Sequence, residues 1–237
     1  MDRRTELSQN LAEVNNSISS ACAKFGRSVD DVNLIVVTKT WPASDVDLLA
    51  ELGVTDVGEN RDQEAKPKHD EVQAKNLTWH AIGQLQTNKA KSVASWADVL
   101  HSVDRLDLVT ALAKAVTVRT KPLKCLIQVN LESDPAAPGV ADHRGGAHPQ
   151  LVKQLADQIS LVPNLAVAGV MAVAPLGVDP EPAFKYLSDI SAQLISNYPN
   201  AKWISAGMSG DFEVALKYGA THLRIGSSIL GHRVLKG

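Results

Sequence analysis

A chain of 237 residues is long enough for one large domain, and its 44% hydrophobic content is enough for a sizeable core. The 24 basic and 26 acidic residues leave a formal charge of −2, which gives no electrostatic argument for nucleic acid or an anionic membrane as a partner. Two widely separated cysteines, an N-terminus without an apolar signal segment and the lack of a membrane-spanning apolar run predict a soluble cytoplasmic protein.

Helical and strand patterns alternate along the whole chain. Apolar residues first recur at the spacing of an amphipathic helix, at Leu7, Leu11, Val14, Ile18 and Cys22. A β-branched apolar run over 33–38 then predicts a buried strand, and Ser44 is a predicted N-cap for a helix over 45–52. Further strands are predicted at 54–57, 77–82, 98–102, 123–130, 165–171, 203–205 and 222–225, with helices over 59–74, 86–96, 105–116, 150–160, 181–197 and 211–218.

Eight strands, each followed by a helix or a terminal turn, predict an α/β fold with parallel strands and right-handed crossovers. A single (β/α)8 barrel of the TIM type, with the first helix as an extra element, accommodates all of these units. The rival is an open doubly wound sheet, which is less favoured because no Gly-x-Gly-x-x-Gly fingerprint follows the first strand. Since no linker interrupts the pattern, residues 1–237 are predicted to form one domain.

The loops after strands seven and eight are rich in glycine and serine, and barrel enzymes often bind phosphate in these two loops. Gly207 and Gly210 would let the backbone approach a ligand closely, and Ser209 is predicted to cap the next helix, whose first N–H groups can point at an anion. Gly226, Ser227 and Ser228 supply a second set of amide and hydroxyl groups. Each residue also fits a structural role in a turn or cap, but together they favour a phosphate site.

Lys39 follows the first apolar strand and is expected at the mouth of the barrel. Partial desolvation of its amine there would favour the neutral form, whose lone pair forms imines. Together with a phosphate site, this lysine suggests a phosphorylated aldehyde held as a Schiff base, for which pyridoxal 5′-phosphate (PLP) is the obvious candidate. The alternative is an ion pair with Glu59 or with another carboxylate at the mouth.

Five further residues near the predicted strand ends each have a structural alternative. If strand alternation points Arg224 inward, it can face the pyridine nitrogen or the phosphate, and otherwise it fits a rim salt bridge. His80 is a candidate base but also fits a satisfied core histidine. Asn60 fits a helix cap, and Met171 and Met208 fit gaps in the core.

Several stretches of the chain match a known pattern in the right order, at 37–40, 58–60, 79–89, 205–211 and 224–227. On these residues the chain resembles the pyridoxal phosphate homeostasis family, also called the YggS/PROSC family. The resemblance implies a barrel like the N-terminal domain of alanine racemase, with Lys39 as the Schiff-base lysine. It further implies a carrier or regulator of the vitamin B6 pool that has no established reaction of its own.

The resemblance also implies which residues surround the cofactor. It places Ser209, Gly226 and Ser227 at the phosphate, in agreement with the argument from the loops. PLP-dependent apoenzymes are candidate recipients of the cofactor, and a monomer is expected. The other residues expected around the cofactor are Asn60, His80, Met171, Ser205, Met208 and Arg224.

The loop after strand five departs from the family pattern. It carries Pro138 and Gly139 where the family often has Lys-x-Gly, and an extra stretch at about 142–149 follows. No role is therefore assigned to the loop at about 136–150. Trp41 also stands where the family often has lysine, which leaves the assignment of Lys39 unaffected.

A small PLP-dependent amino-acid racemase or decarboxylase is the alternative to a carrier. Racemisation needs acid–base groups on both faces of the substrate α-carbon, but Tyr186, Tyr198 and Tyr218 all fall on predicted helices or their ends. The chain ends at Gly237, soon after strand eight, so no second domain is expected to supply the missing base. The carrier is therefore favoured and no enzymatic activity is predicted. A Schiff-base aldolase for phosphorylated sugars is a third hypothesis, which a colourless protein would favour.

Overall fold

Parallel strands close into a barrel in which each strand pairs with the next along the chain and β8 pairs with β1. The structure, a computed structural model, describes residues 2–131 and 145–231. This closed barrel confirms the predicted (β/α)8 fold. The strands are β1 (Asn33–Val37), β2 (Asp56–Glu59), β3 (Thr78–Ala81), β4 (Val99–Val103), β5 (Leu123–Gln128), β6 (Leu165–Met171), β7 (Trp203–Ser205) and β8 (His222–Ile225).

Helices surround the barrel, and α1 precedes β1 as predicted. The α-helices are α1 (Arg3–Lys24), α2 (Ala43–Glu51), α3 (Asp62–Glu71), α4 (Ala90–Trp96), α5 (Leu106–Ala115), α6 (Val152–Ser160), α7 (Glu181–Asn197), α8 (Phe212–Lys217) and α9 (Ser227–Leu230). Short 3-10 segments lie at Val29–Asp31, Thr87–Lys89, Val116–Val118 and Pro149–Leu151. Within the described part of the chain, no helix has the length and apolar character needed to cross a membrane.

The starts of α2 and α3 differ from the sequence predictions. α2 begins at Ala43, and Pro42 occupies the N-cap position in an extended conformation, so Ser44 lies inside the first turn and does not cap it. The proline ring fixes φ and favours this place at a helix start. α3 begins at Asp62 because Glu59 belongs to β2, where its side chain is buried.

The strands face two different cores. Side-chain alternation directs Leu100 and Ile127 outward into a large apolar cluster shared with the helices, whereas Val99 and Leu126 belong to a second, smaller cluster. This smaller cluster lies inside the barrel and includes Met171.

Other positions of the barrel interior carry polar side chains. His80, His101, Ser205 and Arg224 are all buried, and the residues that precede them in the chain, Trp79, Leu100, Ile204 and Leu223, belong to the outer apolar cluster. Bulky branched apolar residues usually fill this space in (β/α)8 barrels. A buried polar group is costly unless it is hydrogen-bonded, so this part of the interior requires a satisfied network.

The loop after β5 falls partly outside the described residues. The predicted loop at about 136–150 includes Pro138 and Gly139, which are not among them. Where the chain is described again, Ala147 forms a parallel bridge with Val129, and the Gln128 side chain donates to the Gly145 carbonyl at 2.6 Å. The end of this loop is therefore joined to the C-terminal end of β5.

Candidate functional site

Lys39 lies in a turn just beyond β1, and its side chain is exposed to solvent. The predicted desolvation of its amine is therefore wrong, because the turn carries residue 39 past the buried end of the strand. Thr40, the next residue, has a backbone φ of 68°, in the left-handed region that β-branched residues rarely adopt. Strained residues of this kind concentrate at binding and catalytic sites, which makes the turn a candidate functional element.

A buried clamp, formed by Thr38, Glu59 and Lys68, fixes the strand end that precedes Lys39. Glu59 Oε1 accepts hydrogen bonds from the Thr38 hydroxyl at 2.6 Å and from the Lys68 ammonium at 2.5 Å. Lys68 also donates to the Thr38 carbonyl oxygen at 2.8 Å. The carboxylate of Glu59 thus pairs with Lys68, and the alternative of an ion pair between Glu59 and Lys39 is wrong.

The two predicted phosphate loops meet each other and the strand that leads to Lys39. Ser209 Oγ and Ser227 Oγ lie 3.4 Å apart. In the sheet, Val36 pairs with Ile225, so the turn after β1 and the start of α9 extend from adjacent strand ends. Gly226 is pressed against β1, because a Cβ atom at this position would lie only 2.9 Å from the Val37 carbonyl oxygen. Glycine therefore permits a close approach of the two segments.

Ser209 does not cap α8, contrary to the prediction. The N-cap position belongs to Asp211, and the Asp211 carboxylate accepts a hydrogen bond from the Met208 backbone N–H at 2.6 Å. This side chain closes the loop on itself and makes no capping hydrogen bond to α8. Ser209 is consequently half-buried beside Ser227, and Met208 is half-buried one residue earlier.

Asn60 lies at a bend after β2 and is exposed. Gly83, in the loop after β3, packs against it so closely that a Cβ atom there would lie 2.0 Å from the Asn60 carbonyl oxygen. The loops after β2 and β3 are thus in contact at the same end of the barrel as Lys39. No side-chain cap of α3 by Asn60 is present among the described residues, since Arg61 occupies the N-cap position without a side-chain hydrogen bond.

Arg224 and Ser205 lie in the interior below these loops. One terminal nitrogen of Arg224 donates to Ser205 Oγ at 2.6 Å, and the other donates to the Ala172 carbonyl oxygen at 2.9 Å. Burial lowers the pKa of Arg224 to about 10, against the opposing effect of Asp211, so the guanidinium remains protonated at neutral pH. Of the two orientations that the sequence left open for Arg224, the structure has the inward one and not the rim salt bridge. Met171 packs in the interior apolar cluster.

His80 is fully buried, and both of its ring nitrogens are bonded to other side chains. Nε2 lies 2.8 Å from Asp56 Oδ1, and Nδ1 lies 2.8 Å from Nε2 of His101. Any influence of His80 on a bound molecule therefore acts through other residues. His101 was not predicted as a site residue, although a polar residue at an inward position of the apolar strand β4 was a usable signal.

At one end of the barrel, four residues form an exposed or half-buried rim: Lys39, Asn60, Ser209 and Ser227. These residues lie after adjacent strand ends. The amide and the two hydroxyl groups can bind an anionic carbonyl compound, and the amine can react with its carbonyl group. The clamp fixes the lysine side of this rim, and the Gly226 contact with Val37 fixes the serine side.

Fold and site together define a (β/α)8 barrel with an exposed lysine and two adjacent serine-bearing loops at its mouth. The profile of the alanine racemase N-terminal domain family matches residues 13–234. Two relatives are each named pyridoxal phosphate homeostasis protein. That of Mycobacterium leprae is 37% identical, covering 97% of this chain and 94% of the relative, and that of Corynebacterium glutamicum is 40% identical, covering 92% and 98%.

A solved structure of PipY from Synechococcus elongatus with PLP bound superposes with a TM-score of 0.80. It is 28% identical, and the match covers 95% of this chain and 100% of PipY. The chain belongs to the pyridoxal phosphate homeostasis protein family, within the group that shares the alanine racemase N-terminal domain.

Proposed function

We propose that this protein binds PLP at the rim, holds it as a Schiff base on Lys39 and serves in PLP homeostasis as a carrier or regulator. The observation that carries the proposal is the meeting of the Lys39 turn with the two serine loops. The strand register joins β1 to β8, and the hydroxyl groups of Ser209 and Ser227 lie 3.4 Å apart.

The residues present fit the chemistry of PLP. Hydroxyl groups of Ser209 and Ser227, with the neighbouring backbone N–H groups, suit a phosphate. The close contact between Gly226 and Val37 leaves no space for a side chain at position 226. The names of the relatives and the PLP bound in PipY support the same ligand. When bound, PLP supplies an aldehyde that condenses with a lysine amine and releases water.

An exposed lysine suits a carrier better than a racemase. Solvent access to Lys39 lets the cofactor enter and leave, whereas an enzyme usually closes its site against water. The tyrosines offer no second base at the rim. The phenol of Tyr198 donates to Asp157 and that of Tyr218 to Glu181, both on the outer helices. Tyr186 lies in α7 and packs against the outer cluster.

A carrier would deliver PLP to apoenzymes that depend on it, and the expected state in solution is a monomer. A cytoplasmic location is supported by Cys22 and Cys125, which are buried free thiols. We also propose that residues 1–237 act as one domain.

The test is the visible absorbance of the purified protein incubated with PLP, before and after borohydride reduction, with peptide mapping of the adduct. We expect a yellow protein whose reduced adduct maps to Lys39. Lys39→Ala should remove the reducible adduct completely while leaving the unfolding midpoint unchanged, because the side chain is exposed. Lys66→Ala, at another exposed lysine, is the control and should keep the adduct.

Two outcomes would contradict the proposal in different ways. A reducible adduct retained at the same site by Lys39→Ala would show that Lys39 is the wrong lysine. A colourless protein that takes up no PLP would reject the cofactor and favour the aldolase hypothesis.

A further inference from the structure

A chain of four hydrogen bonds, which we call the interior chain, crosses the barrel. It joins Asp56 on β2, His80 on β3, His101 on β4, Ser205 on β7 and Arg224 on β8. We propose that Asp56, His80, His101 and Ser205 are positioning residues, which hold the Arg224 guanidinium in one orientation below the bound cofactor. This inference rests on the proposed function.

The donors and acceptors of the interior chain run in a single direction. An arginine can only donate, so Arg224 donates to Ser205 Oγ at 2.6 Å. The Ser205 hydroxyl has one hydrogen, and its second partner is His101 Nδ1 at 2.9 Å. Ser205 therefore donates to His101 Nδ1. A neutral imidazole that accepts at Nδ1 must donate at Nε2, so His101 donates to His80 Nδ1 at 2.8 Å.

The last bond fixes the far end of the chain. Because His80 accepts at Nδ1, its hydrogen is on Nε2 and is donated to the Asp56 carboxylate at 2.8 Å. The reverse direction would need either a doubly protonated His80 or a protonated Asp56. It would also leave the Ser205 hydrogen without an acceptor in a fully buried position. One arrangement of hydrogens thus satisfies all five side chains.

The electrostatic environment supports this arrangement. Burial, reinforced by His80 and Arg224, lowers the pKa of His101 well below its usual range, so its ring is neutral. Burial raises the pKa of Asp56, but the hydrogen bonds from His80 and Thr55 outweigh that effect and hold the pKa below its usual range. The chain therefore has a carboxylate at one end, a guanidinium at the other, and aligned neutral dipoles between them.

The geometry explains how distant residues act on Arg224. His101 and Ser205 are 104 positions apart in sequence, and their bond spans the barrel from β4 to β7. Ser205 can accept from Arg224 only while its own hydrogen points elsewhere, and His101 supplies that acceptor. Loss of His101 would free the Ser205 hydroxyl to rotate and would remove the fixed acceptor from the guanidinium.

His222 provides a matched control. It is also buried in the interior, with its ring centroid 6.4 Å from that of His80. Its ring nitrogens, however, lie against Asn33 and Thr221, at 3.2 and 2.8 Å, and it is not part of the interior chain. A change at His222 alters the packing of the interior without cutting the chain.

The first test is NMR of the histidine ring nitrogens in the cofactor-free protein at neutral pH, which does not depend on PLP binding. We expect His80 and His101 to be neutral, with hydrogen on Nε2 and none on Nδ1. A hydrogen on Nδ1 of either ring would overturn the proposed direction and, with it, the inference.

The second test is PLP titration of His101→Leu, Ser205→Ala, His101→Gln and His222→Gln, with folding checked by circular dichroism. His101→Leu and Ser205→Ala should each raise the dissociation constant for PLP about tenfold and shift the visible absorbance maximum. His101→Gln keeps an acceptor and a donor and should therefore retain most of the PLP affinity and a nearly unchanged absorbance maximum. His222→Gln should have the affinity and spectrum of the unsubstituted protein. If His101→Leu and Ser205→Ala both had the affinity and spectrum of the unsubstituted protein, this inference alone would be overturned. If the unsubstituted protein bound no PLP, the proposed function would be overturned.

Discussion

The rim and the interior chain lie at neighbouring levels of one barrel, but their side chains are used in opposite ways. At the rim, Lys39 and Asn60 are exposed, and the hydroxyl groups of Ser209 and Ser227 face each other across a gap of 3.4 Å. In the interior, His80, His101 and Ser205 are buried and bond to one another or to charged residues. The rim therefore has groups available for a ligand, while the interior uses its groups to hold itself together.

This difference in burial predicts which substitutions change the stability of the protein. Exposed side chains contribute little to the free energy of unfolding, whereas a buried polar group left without its partner costs about 1–3 kcal/mol. Variants at the rim should change ligand binding at constant stability. Variants in the clamp should change stability first, because the clamp is buried directly beneath the rim.

The largest effect is expected at the clamp. Lys68→Met leaves the buried Glu59 carboxylate without its cation and should lower the free energy of unfolding by about 3–5 kcal/mol in urea titrations. The double variant Lys68→Met/Glu59→Leu should recover most of this loss, because apolar replacement of a whole buried pair is often neutral. Lys66→Met, which removes an exposed pair with Asp70 on the same helix, is the control and should have little effect. A stability of Lys68→Met within about 1 kcal/mol of the parent would show that the pair is not needed.

A smaller effect is expected from acid, and it should come from the interior. Burial, with His80 nearby, lowers the pKa of His222 to about 3, and His101 is also shifted well below its usual range. Below about pH 6.5 the unfolded chain protonates both rings while the folded protein does not, so stability falls with pH. Each ring should remove about 1.4 kcal/mol per pH unit below that point.

Urea unfolding between about pH 7 and pH 5 measures this slope above the range in which carboxylates titrate. His222→Gln should reduce the slope by about half, since one of the two shifted histidines is then absent. The same slope in the parent and in His222→Gln would assign the acid sensitivity to other groups.

The fold and much of the rim could be predicted from local patterns. The apolar run over 33–38 and the later apolar runs predicted the strands. The glycine–serine turns at 207–210 and 226–227 predicted the two loops that meet. These features depend on residues close together in sequence. Two predictions were wrong for local reasons. Ser209 does not cap α8, and the chain leaves β1 one residue earlier than expected, so Lys39 is exposed.

The clamp and the interior chain could not be predicted in this way. Thr38 and Lys68 are 30 positions apart, and His101 and Ser205 are 104 apart, so their contacts depend on the closure and register of the whole barrel. In the sequence, Lys68 lies in a polar helical segment and His101 lies in an apolar strand, and neither has a neighbour that indicates its partner. Only the barrel shows that each completes a buried hydrogen-bond network.

The smallest effect is expected at the serines of the rim. Ser209→Ala and Ser227→Ala each remove one neutral hydrogen-bonding group, so each should raise the dissociation constant for PLP about fivefold to tenfold. Their unfolding midpoints should match the parent, in contrast to Lys68→Met. Ser228→Ala, at the exposed neighbouring position in α9, shows whether the third serine of these loops also contributes to binding. If both serine variants lost stability without losing affinity, these hydroxyl groups would belong to the scaffold and not to the binding site.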